Sequence, residues 1–148
     1  MISNTKINQS EWKPMVIVTN TTVLAVGICE KADSLRKLPI RLICLKDGKQ
    51  ATGSLKNEKF HSVISQWNLP DMPDGAFLEG LRSIRPEIPT IAVIEANNNE
   101  QEVKARSLGV SAVVSEDCSQ DHFIAIVRNV LHLTEADSVK EVYAVNEL

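Results

Sequence analysis

Residues 63–84 read VISQWNLPDMPDGAFLEGLRSI. The stretch opens with a short apolar run over Val63–Trp67 and continues through a segment rich in Asn, Asp, Pro and Gly. It closes with helical spacing over Ala76–Ile84. An apolar run of strand length, then turn residues, then an amphipathic helix is typical of one β–α unit. The stretch therefore predicts a strand, a loop and a helix of an α/β fold.

The same pattern recurs along the whole chain. Further strands are predicted at Met15–Val18, Arg41–Leu45, Thr90–Ile94 and Ala112–Val114. Further helices are predicted over Thr22–Leu35, Lys49–Lys56, Asn99–Leu108 and Asp121–Leu133. Strands that are almost continuously apolar belong to parallel sheets covered by helices on both faces. The sequence therefore predicts a doubly wound α/β domain over residues 13–133, with a five-stranded parallel sheet and tails at 1–12 and 134–148.

Composition narrows the class of function. The chain has 148 residues and a net charge of −3, which argues against a nucleic-acid partner. No apolar run approaches the ~20 residues that span a bilayer, and the N-terminus lacks a signal-peptide core, so we expect no membrane contact and a cytoplasmic location. Cys29, Cys44 and Cys118 form no C-x-x-C pair, so we expect no disulfide framework or metal site. We expect Cys29 and Cys44 to pack in or near the core and Cys118 to be the reactive thiol.

Residues 63–72 resemble the third strand and following loop of response-regulator receiver domains. In that family an apolar strand ends in an aspartate, followed by one residue and then N/R-L/M-P-x-M. Asp47-Gly48 lies where the family often carries a D-G pair, and residues 89–94 and 107–112 resemble its fourth strand and the stretch before its fifth. The resemblance covers about residues 13–133, and over this range the chain is similar to single-domain chemotaxis-type receivers. It implies the flavodoxin-like strand order 2-1-3-4-5.

The resemblance also implies where phosphorylation chemistry would lie. In an active receiver, two acids after strand one and an aspartate after strand three hold Mg²⁺, and that aspartate accepts the phosphoryl group. A Ser or Thr and a Lys contact the phosphoryl group. Carried over by position, these five places are held by Thr19, Asn20, Gln66, Ile94 and Glu116, and the aromatic switch position by Val113.

Each of these residues departs from the family pattern. A carboxamide such as Gln66 cannot form an acyl phosphate, and the neutral oxygens of Thr19 and Asn20 bring no charge for Mg²⁺. We therefore expect no catalytic residue, no metal, no cofactor and no enzymatic activity. Two states of the pocket stay open: it is emptied, or Thr19, Asn20, Gln66 and Glu116 form a hydrogen-bonded plug.

The last predicted helix carries more apolar residues than its core stripe needs. Phe123, Val127, Val130 and Leu131 complete that stripe, and Ile124 and Ile126 fall outside it. We expect these two to be covered, either by a C-terminal tail helix over 134–148 or by a partner. The resemblance implies an interaction surface on the fourth helix, fifth strand and fifth helix that contains Glu102, Arg106, Val113, Ser115, Ile124, Ile126 and Asn129.

Two functional hypotheses follow. The first is an atypical receiver-like signalling domain that works without phosphorylation and binds a protein partner or a second copy of itself. The second is a flavodoxin-like domain that binds a small ligand or an anion, using Thr19, Asn20, Thr21 and Thr22 as a phosphate cradle at the start of the first helix.

Overall fold

A five-stranded parallel sheet organises the chain, and the computed structural model describes residues 14–16, 21–133 and 141–143. The strands of this sheet are β2 (Thr22–Val26), β3 (Arg41–Leu45), β4 (Ser62–Gln66), β5 (Thr90–Ile94) and β6 (Ala112–Ser115). Their order is β3-β2-β4-β5-β6. Counted within the sheet, this is the order 2-1-3-4-5, so the predicted flavodoxin-like fold is confirmed.

Helices follow the strands and cover both faces of the sheet. They are α1 (Cys29–Ala32), which runs on as a 3₁₀ turn over Asp33–Lys37, then α2 (Gly48–Asn57), α3 (Ala76–Ile84), α4 (Asn99–Ser107) and α5 (Gln120–Leu131). The side chains of Asp47, Asn98 and Ser119 accept the backbone N–H three residues on, which caps the first turns of α2, α4 and α5. Within the described ranges, no helix is long and apolar enough to cross a membrane.

The core lies in two layers because side chains alternate between the two faces of each strand. On β2, Val23 and Ala25 pack in the layer beneath α1 and α5. Leu24 and Val26 pack in the layer beneath α2, α3 and α4. All five residues of β2 are buried, as expected of a central strand with neighbours on both sides.

The prediction for the first strand and first helix was wrong. The segment over Thr22–Val26, predicted to open a helix, is the central strand, and the helix that follows is only the short α1 and its 3₁₀ turn. Of the predicted strand Met15–Val18, Met15 and Val16 belong to β1 (Pro14–Val16), and residues 17–18 lie outside the described residues. This strand pairs antiparallel with β7 (Glu141–Tyr143) in a separate two-stranded sheet. A local apolar pattern cannot tell which of two nearby runs gains partners on both sides.

The predicted tail helix is contradicted where the structure describes it. Residues 141–143 form β7, an extended strand, so the apolar spacing of the tail does not produce a helix there. The rest of the predicted tail, residues 134–140 and 144–148, lies outside the described residues.

The prediction that Ile124 lies outside the core stripe of α5 was also wrong. Its side chain is 7% exposed and packs in the core layer that includes Phe123 and Leu35. Ile126 is half-buried and packs against the same layer. The 3₁₀ turn beside α5 widens the buried arc of the helix beyond the stripe that spacing alone suggests, because α5 contacts that turn as well as the sheet.

Candidate functional site

A cavity of about 420 Å³ opens where β2, β3, β4 and β6 end. Ligands of open α/β sheets bind at the carboxyl ends of the strands. The cavity therefore lies where the fold places a site. It is lined by Gly27, Ile28, Cys29, Glu30, Lys31, Lys46, Gln66, Asn68, Pro70, Val93 and Glu116.

Two of the predicted pocket residues meet across this cavity. Gln66 is the last residue of β4, and Glu116 directly follows β6. The Gln66 Nε2 donates to Glu116 Oε1 at 3.2 Å. The backbone N–H of Glu116 donates to the carbonyl oxygen of Ile94 at 2.8 Å, which fixes the start of its loop against β5. A side-chain hydrogen bond between an amide and a carboxylate therefore joins the ends of β4 and β6, the two strands that flank β5.

The position after the first sheet strand belongs to other residues than predicted. Thr19 and Asn20 lie outside the described residues, and they precede the strand instead of following it. The three residues directly after β2 that line the cavity, Gly27, Ile28 and Cys29, carry no carboxylate. The first carboxylate on this side of the cavity is that of Glu30, on α1.

Gly27 leaves no room for a side chain at this place. Its φ is +75°, and a Cβ there would lie 2.6 Å from a methyl carbon of Leu69 and 3.3 Å from the Cβ of Gln66. A carboxylate directly after β2 would therefore clash with the loop that follows β4.

The proposed phosphate cradle is contradicted as well. Thr22 opens β2 at the amino edge of the sheet and is buried, whereas the cavity lies at the carboxyl edge. The backbone N–H of Thr22 donates to His61 Nδ1 at 3.1 Å. No part of this segment that the structure describes stands at the start of a helix.

Lys31 fastens the first helix to the last loop of the sheet. Its Nζ donates to the carbonyl oxygens of Glu116 at 3.1 Å and Cys118 at 3.0 Å. The same Nζ lies 5.5 Å from the centre of the Phe123 ring, within range of a cation–π contact. Two lysines, Lys31 and Lys46, thus line the cavity, and the ammonium group of Lys31 is engaged by the loop that carries Glu116.

Neither the hydroxyl position nor the switch position has the chemistry of an active receiver. Ile94 is 5% exposed and packs in the core layer beneath α3 and α4. Val113 is half-buried and, together with Glu102 and Ser115, lines a second cavity of about 300 Å³ between α4 and β6. The structure thus brings three residues of the predicted interaction surface together.

The other predicted surface residues divide by exposure. Arg106 on α4 and Asn129 on α5 are exposed, and Arg106 Nη2 forms an ion pair of 2.9 Å with Glu102. Ile126 is half-buried, and Ile124 belongs to the core. Sequence reasoning missed the large apolar residues that are most exposed among the described residues: Ile84 at 76% and Val103 at 65%.

The acids of the loop after β4 stabilise the fold. Asp71 accepts the backbone N–H groups of Gly48 at 2.8 Å and Lys49 at 2.9 Å, and the Gly48 bond is the main cause that lowers the pKa of Asp71. Asp74 accepts from Trp67 Nε1 at 3.3 Å and pairs with Lys104 Nζ at 3.3 Å, and both contacts lower its pKa. Across the described part of the chain, no three His, Cys, Asp or Glu side chains gather as metal ligands.

The prediction for Cys44 is confirmed, because Cys44 packs against a core layer, whereas the prediction for Cys29 is wrong. Cys29 begins α1 and is exposed, whereas Cys44 and Cys118 are half-buried. The Cys29 Sγ lies 3.8 Å from the carbonyl oxygen of Leu45, the neighbour of Cys44. Burial raises the pKa of Cys44, and the adjacent Cys29 thiol raises it further. Cys29 is the first residue of the short α1, whereas the predicted helix over Thr22–Leu35 would have placed it in the middle of the helix.

The architecture is similar to that of solved receiver domains. The signal receiver domain of an HD domain-containing protein from Pseudomonas fluorescens Pf-5 superimposes with a TM-score of 0.69 at 21% identity, over 77% of this chain and 96% of that chain. A CheY-like response regulator receiver domain protein from Methanospirillum hungatei JF-1 gives 0.67 at 18% identity, over 77% and 95%. The chemotaxis response regulator CheY4 of Vibrio cholerae gives 0.66 at 18%, over 76% and 99%.

These comparisons concern the fold. Neither a protein-family model nor a curated protein matches the sequence. The solved structures align along nearly their whole length despite the low identity. The chain therefore has the fold of the response-regulator receiver domains.

Proposed function

We propose that this chain is a receiver-fold signalling module that works without phosphorylation and binds a protein partner or a second copy of itself. The observation that carries the proposal is the hydrogen bond between Gln66 and Glu116 at the carboxyl edge of the sheet. It supports the proposal because a carboxamide and a carboxylate meet at two positions for which the resemblance implies an aspartate acceptor and a lysine.

The electrostatics of this edge disfavour phosphoryl transfer. A phosphoryl acceptor must be a nucleophilic group that can form a covalent intermediate, and an amide cannot. Catalysis of phosphoryl transfer rests on positive charge and metal ions placed around the transferred group. The cavity lining carries the acids Glu30 and Glu116 against the lysines Lys31 and Lys46, which leaves no excess of positive charge, and the ammonium group of Lys31 is held by two carbonyl oxygens. We propose on these grounds that the module is not an enzyme and takes no metal or cofactor.

An NMR titration tests the loss of phosphorylation chemistry. We expect amide resonances of Gln66, Glu116 and Gly27 to stay unchanged when Mg²⁺ and beryllofluoride, a phosphoryl mimic, are added. An active receiver domain treated with the same solutions serves as the control for the reagent. Saturable shifts concentrated at the three residues would contradict the proposal, because they would place a phosphoryl-like ligand in the cavity.

The proposed contact surface consists of Glu102, Arg106, Val113, Ser115, Ile126 and Asn129, on α4, β6 and α5. Ile124 is removed from it because that side chain is buried. Val103, which is 65% exposed on α4 and lines a groove together with Glu79 of α3, extends the proposed surface across the outer side of α4. An exposed apolar side chain on the helix that also carries the Glu102–Arg106 ion pair suits the centre and rim of a protein contact.

Sedimentation velocity over a range of concentrations tests self-association through this surface. We expect the wild-type chain to form dimers, and we expect Val103→Glu and Arg106→Glu to shift the monomer–dimer equilibrium toward the monomer. Ile84→Glu is the matched control, because Ile84 is as exposed as Val103 but lies on α3, away from the surface. Equal behaviour of Ile84→Glu and Val103→Glu would contradict the assignment of the surface. A wild-type chain that stays monomeric at all concentrations would leave a different protein as the partner.

A cytoplasmic location remains part of this proposal.

A further inference from the structure

The first helix places one thiol beside another at the edge of the sheet. Cys29 is the first residue of α1, and Cys44 lies on β3, opposite Ala25 of the central strand. The side chain of Cys44 packs on the face of the sheet that Ile28 and Ala32 of the α1 segment also cover. Cys44 therefore lies on the face of the sheet that the α1 segment covers.

Two contacts hold the start of α1 close to the end of β3. The backbone N–H of Gly27 donates to the carbonyl oxygen of Leu45 at 2.9 Å, which ties the turn before α1 to the end of β3. The Cys29 Sγ lies 3.8 Å from that same carbonyl oxygen. The influence of the Cys29 thiol on the pKa of Cys44 agrees with this proximity. Two cysteines can be bridged only when their segments already lie this close, because the disulfide permits a narrow range of backbone separations.

We propose that Cys29 and Cys44 form a reversible disulfide when a small disulfide such as oxidised glutathione is the oxidant. This site is independent of the function proposed above. Cys29 is exposed and can meet the oxidant, and Cys44 is half-buried behind it and can resolve the intermediate. Disulfides of this kind in reducing compartments are transient and serve as sensors, in contrast to the structural disulfides of secreted proteins.

The exchange proceeds in two balanced steps. The Cys29 thiolate attacks one sulfur of glutathione disulfide, forming a mixed disulfide and releasing one glutathione thiolate. The Cys44 thiolate then attacks the Cys29 sulfur, forming the internal bond and releasing the second glutathione. Two electrons pass from the protein to glutathione disulfide, and the two thiol protons end on the two released glutathiones.

The bond would connect α1 to β3 at the mouth of the cavity. Lys31, two residues after Cys29, already connects α1 to the loop at Glu116. Oxidation would therefore hold the short helix at both ends of its first turn.

Thiol counting and mass spectrometry test the proposal. The reduced native chain is incubated with glutathione disulfide, quenched in acid and denatured, and its free thiols are then counted. We expect the count to fall from three to one, with a Cys29–Cys44 peptide and no attached glutathione. Dithiothreitol should restore all three thiols.

Single variants distinguish this pair from random oxidation. Cys118→Ser is the matched control and should still lose both of its remaining thiols. Cys44→Ser should stop at a mixed disulfide between Cys29 and glutathione, because the resolving thiol is gone. Three thiols that persist in the wild-type chain would overturn the proposal. So would glutathione that stays on Cys29 in the wild-type chain, or a linked peptide that contains Cys118.

Discussion

Replacing Ile124 with alanine tests whether this residue belongs to the core or to a contact surface. The change removes three carbon atoms from a side chain that is 7% exposed. At about 0.8 kcal/mol for each buried methylene-sized group, reduced in proportion to the 7% that stays exposed, the lost transfer free energy is about 2.2 kcal/mol. A cavity contribution adds to this, and the better helix propensity of alanine subtracts about 0.4 kcal/mol. We expect the free energy of unfolding to fall by about 3 kcal/mol, within the usual range for such changes.

Urea unfolding followed by circular dichroism measures this loss. With a slope of about 2 kcal/mol per molar urea, the midpoint should fall by about 1.5 M. Ile126→Ala is the control on the same helix, and because Ile126 is half-buried it should cost about 1 kcal/mol. Equal losses below about 1 kcal/mol for both variants would refute the assignment of Ile124 to the core.

Two further predictions concern the loop after β4. Because the folded pKa of Asp71 lies below its ordinary value of 3.8, its stabilising effect is present above that value and is lost as the pH falls through the folded pKa. The melting-temperature difference between the wild-type chain and Asp71→Asn should therefore be largest near neutral pH and shrink in acid, and a constant difference would contradict this. Gly75→Ala should lower the free energy of unfolding by about 3 kcal/mol, because φ is +76° and a Cβ would collide with the buried Trp67 ring. Gly80→Ala, which meets nothing within 4 Å on α3, should instead stabilise by up to about 1 kcal/mol in the same urea assay.

Most of the sheet could be predicted because buried parallel strands leave a direct trace in the sequence. Thr90–Ile94 is apolar almost throughout, and it is a strand at those same bounds, with all five residues buried. The first strand could not be predicted in this way, because two short apolar runs lie on either side of a polar segment. Only pairing with β3 and β4 distinguishes Thr22–Val26 from the earlier run, and pairing between distant segments is not encoded in local periodicity.

The same limit explains which site residues were found. Gln66 and Glu116 were both assigned to the carboxyl edge of the sheet, where they meet, because their positions depend only on where β4 and β6 end. Thr19 and Asn20 were misplaced together with the first strand. The proximity of Cys29 to β3 was missed for the same reason, since it follows from the end of β2 at Val26, shortly before Cys29, and from the shortness of α1.

The attachment of Lys31 to the last loop has a consequence for the order in which the chain assembles during synthesis. β3 pairs with one edge of β2 and β4 with the other, after which β5 joins β4 and β6 joins β5, so β2, β3 and β4 can pair as they emerge. Lys31 must wait, because its two carbonyl partners follow it by 85 and 87 residues. At roughly 5–20 residues per second, that wait is about 4–17 s. The ribosome-bound chain would thus hold a nearly complete sheet whose first helix still lacks its anchor.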